Sequence, residues 1–232
     1  MPEEKREYTW RERLSNWLYY HVWHLAAVGL ILVIAVSLIC NKAELARQRC
    51  DHCIAYIGET LLPAECVDAL KREIAALGTD VDGNGEVTVK INQYIVSTTS
   101  AVTEEAVYGR AAEIALLSDI SEGESYFFLV QDPEAFQQDF QLMAHMDGSP
   151  SADDDFSVWD KVYAWADCPR LSALELGMCT LEDGSRIDCQ QLLGRFWLGR
   201  RCYVTSGFDS DSQENAQLWA LFTEGAELPG EK

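Results

Sequence analysis

Residues 126–134 read YFFLVQDPE. Tyr126, Phe127, Phe128, Leu129 and Val130 are apolar without alternation, the pattern of a strand covered on both faces, as strands are in parallel sheets flanked by helices. Asp132-Pro133-Glu134 then opens a helix running to about Met146, because Asp caps, Pro is tolerated in a first turn and Glu suits the positive end of the helix dipole. Immediately upstream, Thr103 with Glu104 and Glu105 predicts another helix start, and Val107, Ala111, Ile114 and Leu117 form its apolar stripe. Before that, Val87, Val89, Ile91 and Ile95 alternate with Thr88, Lys90, Asn92 and Tyr94, as in a strand with one covered face. Further back, Val67, Leu70, Ile74 and Leu77 recur at helical spacing between Pro63 and Gly78, and residues 53–58 read as a strand closed by glycine. Strand, helix, strand, helix, strand, helix predicts the α/β class, with helices packed on a largely parallel sheet.

Toward the C-terminus the pattern thins. Residues 147–155, rich in Asp, Ser and Gly, read as an exposed loop. Glu182-Asp183-Gly184-Ser185 is either a hairpin turn between residues 178–181 and 186–190 or part of a continuous loop. Residues 195–204 suit one more strand, and Asp211 with Glu214 resembles a capping box for a final helix to about Phe222.

Toward the N-terminus, residues 22–40 read VWHLAAVGLILVIAVSLIC, without a single Asp, Glu, Lys or Arg. At about 1.5 Å per residue such a run matches the roughly 30 Å hydrocarbon core of a bilayer. It exceeds the apolar core of a signal peptide, and Ile39 is unsuited to a cleavage site, so an uncleaved transmembrane helix is expected. Trp17, Tyr19, Tyr20 and Trp23 form an aromatic belt at its entry, preceded by a mixed-charge segment suited to the cytoplasmic interface. The expected organisation is a cytoplasmic tail 1–21, a span 22–40, a stalk 41–52, an extracytoplasmic domain 53–224 and a C-terminal tail 225–232. Localisation follows as the cell membrane, single-pass, with the domain outside.

The formal charge is −20, and the tail adds nothing to it, since Glu3, Glu4, Glu7 and Glu12 offset Lys5, Arg6, Arg11 and Arg13. So acidic a domain repels nucleic acid and favours cationic partners or divalent ions.

Among candidate sites, Asp80-x-Asp82-x-Asn84-Gly85-Glu86 matches the first half of an EF-hand, with oxygen ligands at the first, third and fifth positions, a glycine at the sixth and a backbone carbonyl at the seventh. The twelfth position is Ile91 where a bidentate glutamate belongs, so calcium binding needs a carboxylate from elsewhere. The alternative is a plain turn, which Asp, Asn and Gly support without an ion. Cys50-Asp51-His52-Cys53 with Cys66 invites a zinc or thiol-redox reading, but the remaining cysteines supply no second CxxC. Cys179 and Cys189 could close the hairpin as a disulfide. No catalytic set is expected; His145 is the histidine placed to serve one. Asp153-Asp154-Asp155 reads as a solvated charge run or a cation site. Trp159, Tyr163, Trp165, Phe196, Trp197 and Tyr203 are candidates for a cleft or for core packing.

Three segments together, WLYYHVWH at 17–24, DVDGNGEVTVKINQYIV at 80–96 and EIALLSDISEGESYFFLVQDPEAFQ at 113–137, resemble uncharacterised single-pass membrane proteins of Gram-positive bacteria. The last segment, within residues 53–146, also resembles the first lobe of type 2 extracellular solute-binding proteins. That resemblance implies an outward-facing, solute-binding-like α/β lobe. Such proteins close two lobes over a ligand, and the chain beyond the span is too short for two of full size.

The expected function is therefore a membrane-anchored, extracytoplasmic, non-catalytic binding or cell-envelope accessory protein. Its expected partners are the bilayer and a small molecule or envelope protein, with no nucleic acid. The alternatives are a calcium-stabilised structural or interaction module, or a hydrolase using His145.

Overall fold

The computed structural model describes residues 9–47, 50–96, 104–152, 154–202 and 209–227. The chain divides into two compact units, Met1–Arg49 and Cys50–Lys232.

The first unit is helix α1, Trp10–Arg47. Glu12 in its first turn reaches back to Thr9, its Oε2 accepting from the Thr9 backbone N–H at 2.9 Å and from its hydroxyl at 3.0 Å. The expected span lies within α1. Its stretches Trp10–His24 and Ala26–Ser37 are bent by 50° and meet the length and composition of a span only as a pair. No single helix among the described residues is long and apolar enough to cross a membrane. The aromatic belt residues Trp17, Tyr19, Tyr20 and Trp23 are all exposed on this helix.

In the second unit β1 (His52–Gly58) lies inside the sheet, with β2 (Val89–Ile95) and β3 (Phe127–Val130) parallel to it on either side. Next to β3 comes β7 (Trp197–Arg200), and β4 (Val162–Ala164) forms the far edge, giving the order β2-β1-β3-β7-β4. β7 pairs antiparallel with both neighbours, so four strands run one way and one is reversed. The sheet is thus mostly parallel, as residues 126–130 predict.

Side-chain alternation sends Ile54, Tyr56, Phe127 and Leu129 to one face and Ala55, Ile57, Phe128 and Val130 to the other. The first face is covered by α2 (Ala64–Leu77) through Cys66, Val67, Leu70 and Ile74, and by α7 (Asp209–Phe222) through Leu218, Trp219 and Phe222. The second is covered by α3 (Glu104–Glu122) through Leu116 and by α4 (Pro133–Phe140) through Phe136. The connections β1-α2-β2 and β2-α3-β3 therefore run over opposite faces, and the winding reverses between β1 and β3.

Two boundaries differ from expectation, and one strand was not expected. The folded unit starts at Cys50, so Cys50, Asp51 and His52 belong to it and not to the stalk 41–52. α4 stops at Phe140 rather than Met146: Gln141 is left-handed at φ 50°, Gln137 Oε1 accepts from the Met143 N–H at 3.2 Å, and Met143 bridges to Arg201 beyond β7. β4, three residues long, has too little alternation to be visible in sequence. Residues 178–190 do form a hairpin, β5 (Met178–Thr180) against β6 (Arg186–Asp188), followed by short α6 (Cys189–Leu193). Thr103, Asp153 and Tyr203 lie outside the described residues.

Candidate functional site

The parallel register of β1 with β2 sets His52 beside Val89, which brings Asp51 alongside Thr88 and the loop that precedes it. The Asp80 carboxylate sits inside that loop and accepts backbone N–H groups from Gly83 at 2.8 Å, Asn84 at 3.1 Å and Gly85 at 2.7 Å. Asp82 accepts from the Asn84 N–H at 3.0 Å and from its side-chain amide at 2.8 Å, and Asn84 Oδ1 accepts from the Glu86 N–H at 2.8 Å. The loop curls around its own carboxylates because Gly83 and Gly85 adopt φ of 71° and 92°, which side chains disfavour.

Asp51 brings a further carboxylate to this loop. Its Oδ1 accepts from Val81 N at 2.8 Å and Asp82 N at 3.3 Å, while Oδ2 takes the Thr88 N–H and hydroxyl. Burial pushes the Asp51 carboxyl up, yet the donors from Thr88, Val81 and Asp82 outweigh it and hold the group below the usual range. The Asp80 carboxyl is lowered chiefly by the Gly85 N–H. Asp51, Asp80 and Asp82 each offer a carboxylate oxygen, and the three lie within 4.8 Å of one another, a group that could hold a metal ion. Of the sequence candidates, Asp80 and Asp82 belong to this group, whereas Asn84 and Glu86 enter the loop's hydrogen bonding. Asp51 was hidden because only strand register reveals it.

His52, fully buried, clamps the same loop: Nε2 accepts from the Thr79 N–H at 3.0 Å and Nδ1 meets Asn215 Oδ1 at 2.8 Å. Cys53 points to the face opposite Ile54, where it meets Asn92 and Ser125, whereas Cys66, within α2, packs on the Ile54 face. The cysteine motif and Cys66 therefore form no common site. Cys179 and Cys189 are buried free thiols in this structure, each pushed up to about 11 by burial.

His145 faces carboxylates rather than a nucleophile. Its Nδ1 is 2.9 Å from Asp160 Oδ2 and its Nε2 is 3.7 Å from Asp155 Oδ2, and among the described residues no serine or cysteine side chain bonds its ring. Asp155 is held well below the usual carboxylate range, first by the Lys161 ammonium at 2.8 Å and then by Ser157. Lys161, wholly buried, also donates to Ser157 O at 2.7 Å. Within the acidic run, Asp155 is thus an internal partner of Lys161.

A cleft of about 420 Å³ opens at the carboxyl ends of β1 and β3. Gly58 and Glu59 follow β1, Gln131 and Asp132 follow β3, and the first turn of α4 forms a wall. Asp132 caps that helix, its Oδ1 accepting from Ala135 N at 3.0 Å, and Gln131 Oε1 accepts from the Glu59 N–H at 3.2 Å across the mouth. Phe136, Phe140 and Trp159 supply aromatic surface. The placement, beyond the strand ends where the winding reverses, is where open α/β sheets bind ligands. Of the aromatic candidates, Trp159 lines this cleft and Trp197 meets its ring edge-on at 5.0 Å. Trp165 and Phe196 are core, and Tyr163 packs on Trp219. The sequence signals that locate the cleft are a glycine closing one strand and Asp-Pro following another.

No family model, no curated protein and no solved structure matches the chain.

Proposed function

We propose that this chain is a membrane-tethered, non-catalytic binding protein of the bacterial cell envelope, whose solute-binding-like α/β unit faces outward and takes a small ligand. The observation that carries the reading is the 420 Å³ cleft at the reversal between β1 and β3, which combines an apolar, aromatic lining with a few polar groups. The tether is supported by residues 22–40, uncharged throughout. Val28, Leu30, Ile31, Leu32, Val33 and Ile34 are each at least half exposed, so apolar surface surrounds the helix as a lipid-facing segment requires.

The full chain, expressed in bacteria, tests the tether and its direction. It should stay with membranes through an alkaline carbonate wash, and protease added to spheroplasts should digest the α/β unit. Release by carbonate rules out the span, and protection from protease reverses the topology.

A second reading concerns the loop. Calcium is the ion proposed for Asp80, Asp82, Asn84 and Glu86, with Asp51 as the carboxylate from elsewhere, supported by the convergence of three carboxylates. At a concentration ten times its Kd, calcium would add about 1.4 kcal/mol, a rise in Tm of about 3–6 °C over a chelated control. An unchanged Tm rejects the ion and leaves a self-satisfied turn.

A further inference from the structure

The carboxyl-end cleft is acidic as well as aromatic. Glu59, Asp132, Glu134 and Asp139 line it, no lining residue is basic, and among the described residues none of the four carboxylates has an ion-pair partner. An adjoining hollow of about 450 Å³ shares Glu134 and Trp159 and adds Phe156 and Asp160, so the same character continues outward. Asp132 caps α4, and Glu134 lies in the first turn of that helix. All four are exposed groups of one sign around an apolar floor made by Ile57, Val130 and Phe136.

Unpaired carboxylates on a concave wall focus negative potential and disfavour an anion, despite the N-terminus of α4 at the same place. A bare metal ion is no better fit. Among the described residues only Asp51, Asp80 and Asp82 bring three ligand atoms within 4.8 Å of one another, so the cleft carboxylates offer no three-ligand site. Trp159, a large aromatic left 47% exposed beside those carboxylates, offers the surface on which organic cations are held best.

We infer that the cleft at the carboxyl ends of β1 and β3 binds a small organic cation, an ammonium group on an apolar body, held between the carboxylates of Glu59, Glu134 and Asp139 and the ring of Trp159. This inference rests on the binding-protein reading above and names the ligand class of the same site. Apolar parts of the ligand lie against Phe136 and Phe140, and the ammonium replaces the missing cationic partner of the wall.

Calorimetry on the full chain in detergent micelles tests this with choline, with its neutral isostere, in which a tert-butyl group replaces the trimethylammonium, and with potassium chloride as an ionic-strength control. Choline should bind and the isostere should not. Trp159→Leu should weaken choline binding about three- to thirtyfold. Glu134→Gln combined with Asp139→Asn, both at exposed positions, should weaken it about tenfold while lowering Tm by at most about 4 °C, the loss of one first-turn charge from α4. If isostere and choline bind alike, the charge assignment fails while a small-ligand cleft stands. If neither binds, the organic-cation inference fails, while the binding-protein reading, which names no ligand charge, does not fall with it. Choline binding that ignores all three substitutions overturns the site.

Discussion

Asp51 holds Thr88 by both of the threonine's donors, its Oδ2 accepting the backbone N–H at 2.6 Å and the hydroxyl at 2.7 Å. With Val81 and Asp82 on its other oxygen, one buried carboxylate fastens the loop to the start of β1. Asp51→Ala should therefore cost about 2–4 kcal/mol, since hydrogen bonds to a charged group are lost and their donors must find water. Chemical denaturation would show it as a lower midpoint with an unchanged slope.

Acid should reveal the same contact. An aspartate in the unfolded chain titrates near pH 3.9, and folded Asp51 titrates lower, so within that window the unfolded state binds more protons. The stabilisation is complete above about pH 5 and is lost as pH falls through the folded value. Melting temperatures across the acid range should fall less steeply in Asp51→Asn than in the native chain.

Gly78 cannot grow a side chain while His52 stays in place. A Cβ there would lie 2.5 Å from His52 Cδ2 and 2.6 Å from Nε2, and the imidazole is held at both nitrogens. Gly78→Ala should cost about 1–3 kcal/mol by overpacking, although its φ of −76° is ordinary. Combined with His52→Ala the two losses should be less than additive, and a double-mutant cycle measures the difference.

Asp119 is the buried acid of the opposite face. Its Oδ2 accepts from the Tyr94 hydroxyl at 2.7 Å and the Ser125 hydroxyl at 2.6 Å, and Arg201 Nη1 lies 3.8 Å from Oδ1. Burial and then this carboxylate push the Tyr94 phenol well above its usual range. Asp119→Ala removes the carboxylate to which Asn92, Tyr94 and Ser125 donate and which lies beside the Arg201 guanidinium, and should cost about 3–5 kcal/mol in a urea melt.

Cysteine reactivity should be uneven. The Cys50 thiol is lowered by its hydrogen bond with Cys53, whereas that bond together with burial pushes Cys53 up. Cys66 and Cys168 are raised by burial, to about 11 and about 12. Mass spectrometry after brief alkylation at neutral pH should find Cys50 labelled before Cys53, Cys66 and Cys168.

The legible part of the fold is the part written in local pattern. Phe127 to Val130 are apolar because both faces of β3 are covered, and that predicts a mostly parallel sheet without knowing its order. The direction of β7 was not legible, since Trp197 and Leu198 say nothing about which way they meet Val130 and Leu129. The same holds for the loop. Asp80 and Asp82 announce themselves by spacing, whereas Asp51 joins them only through the pairing of His52 with Val89. Glu59 and Asp132 likewise lie far apart in sequence and share a cleft only because β1 and β3 end side by side.

The reversed strand also sets an order of events at the ribosome. β3 is complete by Val130, but the partner for its second edge spans Trp197–Arg200, more than sixty residues later. Until those residues emerge, Phe127 to Val130 present an unpaired, wholly apolar edge, the kind that recruits strands from other chains. The nascent unit therefore cannot close its sheet one hairpin at a time, and truncation before β7 should turn a folding unit into an aggregating one.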